Sequence, residues 1–241
     1  MGGVGGIPVG GPVGMIPLTT GGISSVAVVG AHCDDIVIGA GATLMLIARH
    51  NPDVVVHALV LSGGGTERET EEKNAFAALL PHADLRLTVA DLPDGRLPEH
   101  WGSVKQRLAD FRRDCQPDLV LGPQREDYHQ DHRLIAELIP TEFRAHLVLG
   151  YEILKWEADL PNPTLFVPIP ADLAQRKTRL LAQCYPSQSD RDWFDDEAFL
   201  GLMRVRGVQC HSRYAEAFVV EKAAFDPSPV STGQTHRGGA K

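Results

Sequence analysis

Short apolar runs separated by longer amphipathic stretches set the pattern of this chain. Val26-Ala27-Val28-Val29-Gly30, continuing to Ala31, is the first run, and Asp53 to Leu61, with Val54, Val55 and Val56 inside it, is the second. Both are short and rich in β-branched residues, as strands buried on two faces are. Shorter runs recur at Leu85 to Val89 and Asp118 to Gly122. The stretches between them read as helices. Ile38 to Arg49 ends in a basic turn followed by Asn51 and Pro52, a stop signal. Thr66 with Glu69 three residues on caps a helix whose apolar face is Ala75, Phe76, Ala77, Leu79 and Leu80. Trp101 to Cys115 sets Val104, Leu108 and Phe111 against Lys105, Arg112 and Arg113, and Pro117 ends it; Arg133 to Arg144 is the next helix. This alternation predicts an α/β fold, a mostly parallel sheet with helices on both faces.

Beyond Arg144 the pattern changes. Leu147 to Leu154 and Leu165 to Ile169 read as strands, Ala171 to Cys184 as a helix capped by Asp172, and Glu197 to Arg206 as another helix. Tyr214 to Val220 is a closing strand. We read these as a small C-terminal α+β extension of one domain spanning residues 23–225. Residues 1–22, uncharged and rich in Gly, Val and Pro, read as a flexible arm, and residues 226–241 as a disordered tail.

Composition narrows the setting. The formal net charge of -8 argues against a nucleic-acid surface, and no apolar run approaches the roughly 20 residues of a membrane span. The four cysteines, Cys33, Cys115, Cys184 and Cys210, are scattered, with no C-x-x-C pair, and the first residues lack the basic start and apolar core of a secretory signal. A reduced, cytoplasmic protein is the expectation, and a homo-oligomer is compatible with it. Ser62-Gly63-Gly64-Gly65-Thr66-Glu67 lacks the Lys-Ser/Thr ending of a phosphate loop and reads as a mobile loop beside a site. His57, in mid-strand, reads as a core or edge histidine.

Two polar clusters interrupt this pattern directly after predicted strands. The first is His32-Cys33-Asp34-Asp35 and the second Asp127-Tyr128-His129-Gln130-Asp131-His132. In an open α/β sheet both would open at one rim, where ligands bind. Catalytic zinc takes three protein ligands and leaves a position for water; His32, Asp35 and His132 can supply that set. Asp34, adjacent to a ligand but not needed as one, is placed to be a general base. His129, one helical turn before His132, can stabilise an oxyanion or protonate a leaving amine, and Asp131 can orient His129 or keep it charged. Metal-dependent amide hydrolysis is the chemistry these residue types suit. Ferrous iron satisfies the same donors, so zinc is the first expectation and iron the second.

The stretch Ala31-His32-Cys33-Asp34-Asp35-Ile36-Val37-Ile38-Gly39-Ala40-Gly41-Ala42-Thr43-Leu44 resembles the Ala-His-Pro-Asp-Asp-x-x-x-Gly-x-Gly-Gly-Thr-Leu signature of the PIG-L/LmbE-like family of zinc-dependent N-acetylglucosaminyl deacetylases. His129-Gln130-Asp131-His132-Arg133 is similar to that family's second motif. Weaker resemblances are Arg68 with Glu71, the turn Asp94-Gly95-Arg96-Leu97, Ser187-Gln188, and Tyr214-Ala215-Glu216-Ala217-Phe218. The resemblance implies a Rossmann-like, LmbE-like fold and removal of an N-acetyl group from an amino sugar or its conjugate, with the roles given above and Arg68 as a substrate contact. Three positions depart from it: Cys33 replaces the usual Pro, Ile36 stands where an acidic residue is common, and Cys184 stands where His is common before Tyr185. Two alternatives stand beside it. One is an amidase or deacylase acting on a non-sugar intermediate; the other is a non-catalytic sugar- or nucleotide-binding protein.

Overall fold

The computed structural model describes residue 18 and residues 22–226; apart from Leu18, Gly22 and Asp226, the arm and the tail lie outside the described residues. The predicted strands assemble into one seven-stranded sheet. β1 (Ser25–Gly30), β2 (Val55–Ser62), β3 (Asp84–Leu92), β4 (Leu119–Pro123) and β5 (Leu147–Tyr151) run parallel in the order β3-β2-β1-β4-β5. β6 (Leu165–Ile169) and β7 (Tyr214–Lys222) complete the sheet on the β5 side as antiparallel strands, β6 at the edge. The C-terminal α+β portion is therefore part of the same sheet rather than a layer of its own. Pro168 in β6 fits that place, because an edge strand leaves one row of amides unpaired.

Alternation along the strands divides the core in two. Val26 and Val28 of β1 join Val56, Ala58 and Val60 of β2 on one face, under α1 (Asp35–His50), α2 (Glu67–Leu79), α5 (Ala171–Cys184) and α6 (Asp196–Gln209). Ala27 and Val29 point the other way, with Leu59 and Leu61, toward α3 (Trp101–Arg113) and α4 (Gln130–Glu142). The period of two is that of a pleated strand with both faces covered. Asp172 does not cap α5: Pro170 holds that position without a side-chain bond, and Asp172, inside the first turn, pairs with Arg49.

The chain leaves β1 toward β2 on one side and reaches β5 from β4 on the other, so β1 and β4 flank a topological switch point, the usual ligand crevice of such sheets. Two contacts fix α1, whose start carries half of the site. From β7, Glu216 accepts the Ala42 and Thr43 amides at 3.0 and 2.7 Å and pairs with buried Lys177. Beneath the helix, the Tyr151 ring lies where Gly39 has no side chain; a Cβ there would come within 2.2 Å of it. Tyr151 in turn donates its hydroxyl to the Val29 carbonyl at 2.7 Å. Gly39→Ala is expected to destabilise the fold by about 3 kcal/mol or more, because neither ring nor helix has room to move. A thermal melt with a midpoint within a degree of the parent would refute this.

Candidate active site

Both polar clusters open at the switch point. β1 ends at Gly30, the chain turns through residues 31–34, and α1 starts at Asp35, so His32, Asp34 and Asp35 project from one tight turn. The second cluster leaves β4, and His129 is the N-cap residue of α4, with Asp131 and His132 in its first turn. His32 Nδ1 lies 3.1 Å from His132 Nε2. Asp35 Oδ2 lies 3.5 and 3.3 Å from these two nitrogens. A tetrahedral ion with ligands at about 2.0–2.1 Å holds its donors about 3.3–3.4 Å apart, so the three atoms already have the spacing of one coordination face.

The outer nitrogens agree with that use. His32 Nε2 donates to Asp131 Oδ2 at 3.1 Å and lies 3.0 Å from Asp94 Oδ1. His132 Nδ1 lies 3.0 Å from buried Asp127 Oδ2. Carboxylates on the outer nitrogens are the common arrangement behind metal-bound imidazoles. With those nitrogens protonated, two lone pairs face each other across 3.1 Å beside a carboxylate, an arrangement that a shared cation satisfies. Burial opposes charge on both rings, yet Asp35 and its neighbours overcome it: His32 is raised well above the usual imidazole range and His132 to about 9. Burial would raise Asp35, but His132 and His32 hold it well below the carboxylate range. The residues thus fit a divalent ion. A competing donor set, His32, His129 and His132, also falls within 4.8 Å, but it leaves out the carboxylate.

Asp131 reaches His129 through its amide and its charge, while its carboxylate is bonded elsewhere. Its carboxylate accepts the Gly95 and Leu97 amides at 2.8 and 2.9 Å as well as His32, fastening the Asp94-Gly95-Arg96 turn to the site. His129 is oriented by the main chain instead: the Asp131 amide donates to His129 Nδ1 at 3.3 Å, which leaves Nε2 to carry the proton of the neutral ring. Burial and the neighbouring His132 and His32 lower the affinity of His129 for a second proton.

Asp34 adopts φ 109°, a left-handed conformation rare outside glycine. Its carboxylate pairs with Arg68 at 3.1 Å, and Arg68 also binds the Cys33 carbonyl and lies 3.4 Å from Glu71. Burial pushes Asp34 up to about 7, with Arg68 opposing and Asp35 adding to the rise. Arg68 is therefore inside the site, tied to the carboxylate next to the donor set. The Gly-rich loop is fastened beside it. The Gly64 amide donates to the Ala90 carbonyl at 2.8 Å, and a Cβ on Gly63 would meet Cys33 Sγ at 2.8 Å.

A cleft of about 240 Å³ opens over these groups, lined also by Lys155, Trp156, Gln188, Arg191 and Trp193. Trp156 is 61% exposed, with its Nε1 held by Asp192 at 2.6 Å and Arg191 lying over its ring. Lys155 bridges Asp127 and Asp159. Asp94 and Asp127 belong to stretches the sequence singles out, the turn at Gly95 and the second cluster, but no role is legible for either there. Lys155, Trp156 and Trp193 lie in loops with no distinguishing pattern.

Residues 27–141 match the family model described as PIG-L: GlcNAc-PI de-N-acetylase, a span that contains both polar clusters and Arg68. Among solved structures, N,N'-diacetylchitobiose deacetylase from Pyrococcus horikoshii is 21% identical with a TM-score of 0.62, covering 82% of this chain and 84% of its own. GalB, the 4-carboxy-2-hydroxymuconate hydratase from Pseudomonas putida KT2440, is 22% identical with a TM-score of 0.68, covering 86% and 99%. The A40926 pseudoaglycone deacetylase Dbv21 is 17% identical with a TM-score of 0.61, covering 84% and 99%. At these identities the likeness is one of fold.

Proposed function

We propose, for a chain similar to the PIG-L family over residues 27–141, that it is a metal-dependent hydrolase removing an N-acetyl group from an amino sugar or amino-sugar conjugate. The observation that carries this reading is the donor face of His32 Nδ1, His132 Nε2 and Asp35 Oδ2, spaced 3.1 to 3.5 Å apart with the Asp34 carboxylate beside it. When bound to these three residues, zinc, or ferrous iron in its place, supplies Lewis acidity and a more acidic water. Asp34, deprotonated, takes a proton from the attacking water. Arg68 holds that carboxylate in the cleft and can contact the substrate's hydroxyls from the same place. His129 presents a neutral Nε2–H to the oxygen on which negative charge develops, and the proton that Asp34 takes from the water is the one returned to the departing amine. Asp131 and Asp127 keep His32 and His132 in the tautomers that face inward.

The test is product analysis with the zinc-loaded protein on N-acetylglucosamine and its glycosides: acetate and a primary amine should appear in equal amounts. No release from any N-acetyl sugar would overturn the sugar reading, and release from N-acetylated non-sugar amines alone would favour the amidase alternative. A second reading, water addition to a carbon–carbon double bond, is favoured by the fold likeness to the hydratase GalB. It gives one hydrated product and no amine.

Trp156 and Trp193 stand 6.0 Å apart, ring edge to ring face, at the mouth of the cleft. They suit the part of the substrate beyond the amide. Trp156→Ala is expected to raise KM about 10-fold with kcat within about twofold, since it removes contact surface that ground and transition states share. Equal losses in kcat and kcat/KM would assign Trp156 to the chemical step instead.

A further inference from the structure

We propose that Glu72 and Tyr185 are positioning residues: a buried carboxyl and phenol that hold the Asp34 main chain in the left-handed turn from which its carboxylate reaches the cleft. This rests on the reading of Asp34 as general base.

Three amides of the turn after β1 have side-chain acceptors. Ala31 and His32 donate theirs to Asp35 Oδ2 at 2.9 and 2.8 Å. The Asp34 amide points instead to α2 and donates to Glu72 Oε2 at 3.0 Å. That same oxygen accepts the Tyr185 hydroxyl at 2.6 Å. Glu72 has no exposed surface, and Tyr185, at the end of α5, has 1%. Glu72 Oε1 has no hydrogen-bond partner, and no ion pair to Glu72 occurs among the described residues. Neighbouring Glu71 has ordinary structural work, accepting the Ser187 amide and hydroxyl at 2.8 and 2.6 Å. Burying a carboxyl without a cation is costly. Here its two bonds go to the amide of Asp34 and to the phenol that fixes its own position.

Asp34 needs such a hold. At φ 109° and ψ -31° its backbone is strained, and Cys33 before it imposes no fixed φ. Without the Glu72 acceptor the turn can relax toward negative φ, which swings the carboxylate away from the cleft. Displacements of about 1 Å in a reacting group can cost roughly 100-fold in rate.

The test compares Glu72→Ala, Glu72→Gln and Tyr185→Phe in the full zinc-loaded chain, each alone and with Asp34→Asn, with metal content and melting measured throughout. Glu72→Ala should lower kcat about 100-fold with KM within about threefold and metal retained. Glu72→Gln, which keeps an acceptor oxygen, should recover kcat to within about fivefold, and Tyr185→Phe should cost about 10-fold. On Asp34→Asn, Glu72→Ala should add nothing. Losses that multiply, a Glu72→Gln no better than Glu72→Ala, or a Tyr185→Phe at full kcat would overturn the proposal. Should Glu72→Ala fail to fold, Glu72→Gln and Tyr185→Phe decide it, through kcat and through a crystal structure in which Asp34 keeps or loses its positive φ. An active Asp34→Asn removes the base reading itself; an inactive one beside a fully active Glu72→Ala overturns only the positioning role.

Discussion

Asp34→Asn is expected to lower turnover by about 1,000-fold or more while leaving the protein folded and metal-loaded. Asn keeps the size of the side chain, an oxygen for Arg68 and the amide that Glu72 accepts, so the contacts that shape the turn survive. What it loses is the ability to take a proton. None of the three donor atoms at 3.1 to 3.5 Å belongs to residue 34, so metal content should stay at the wild-type ratio. Amine release, measured beside metal analysis, separates the two effects. A variant retaining more than a tenth of the activity would show the base to be elsewhere, and one that lost its metal would make Asp34 a ligand.

Much of the fold was legible in the chain because its strands are short, β-branched and bounded by turns. Leu165 to Ile169 and Ala171 to Cys184 were read with their observed bounds. The place of the C-terminal strands was not legible. Neither Leu165 to Ile169 nor Tyr214 to Val220 says which neighbour it pairs with, and β7 inserts between β5 and β6 by contacts made far away in sequence. The same division runs through the site. His32, Asp34, Asp35, His129 and His132 sit in two local clusters, each following a strand, and the switch point brings them together. Glu72 had no such signal: within Glu69-Thr70-Glu71-Glu72 it reads as one more solvated acid on a charged helix. Only the packing of Tyr185, just beyond α5, against α2 reveals that it is buried and bonded to the Asp34 amide. Asp131 lies in the second cluster, but nothing local says that its carboxylate also holds the turn at Gly95, 36 residues away.

Removing the metal, or the side chain that completes its donor face, should produce the other large effect. His132 is 2% exposed and supplies one of the two facing nitrogens; His132→Ala leaves a pair of donors at one edge and an empty space beside Asp127. Metal content is expected to fall from about one ion per chain to below about 0.1, with loss of turnover to the same extent. Chelation of the wild type should do the same reversibly, and added zinc should restore activity and raise the melting point. An ion at 1,000 times its dissociation constant stabilises the state that binds it by about 4 kcal/mol. The His132→Ala chain should show no such rise. His129→Ala is the counterpart that separates the two donor sets, because its ring stands only 4.6 Å from that of His132. With His32, Asp35 and His132 as ligands, His129→Ala keeps its ion and its zinc-dependent melting shift and loses about 100-fold in turnover through the missing hydrogen bond to the developing oxyanion. If the ion is held by the three imidazoles instead, His129→Ala loses metal as His132→Ala does, and the role given to Asp35 falls with it.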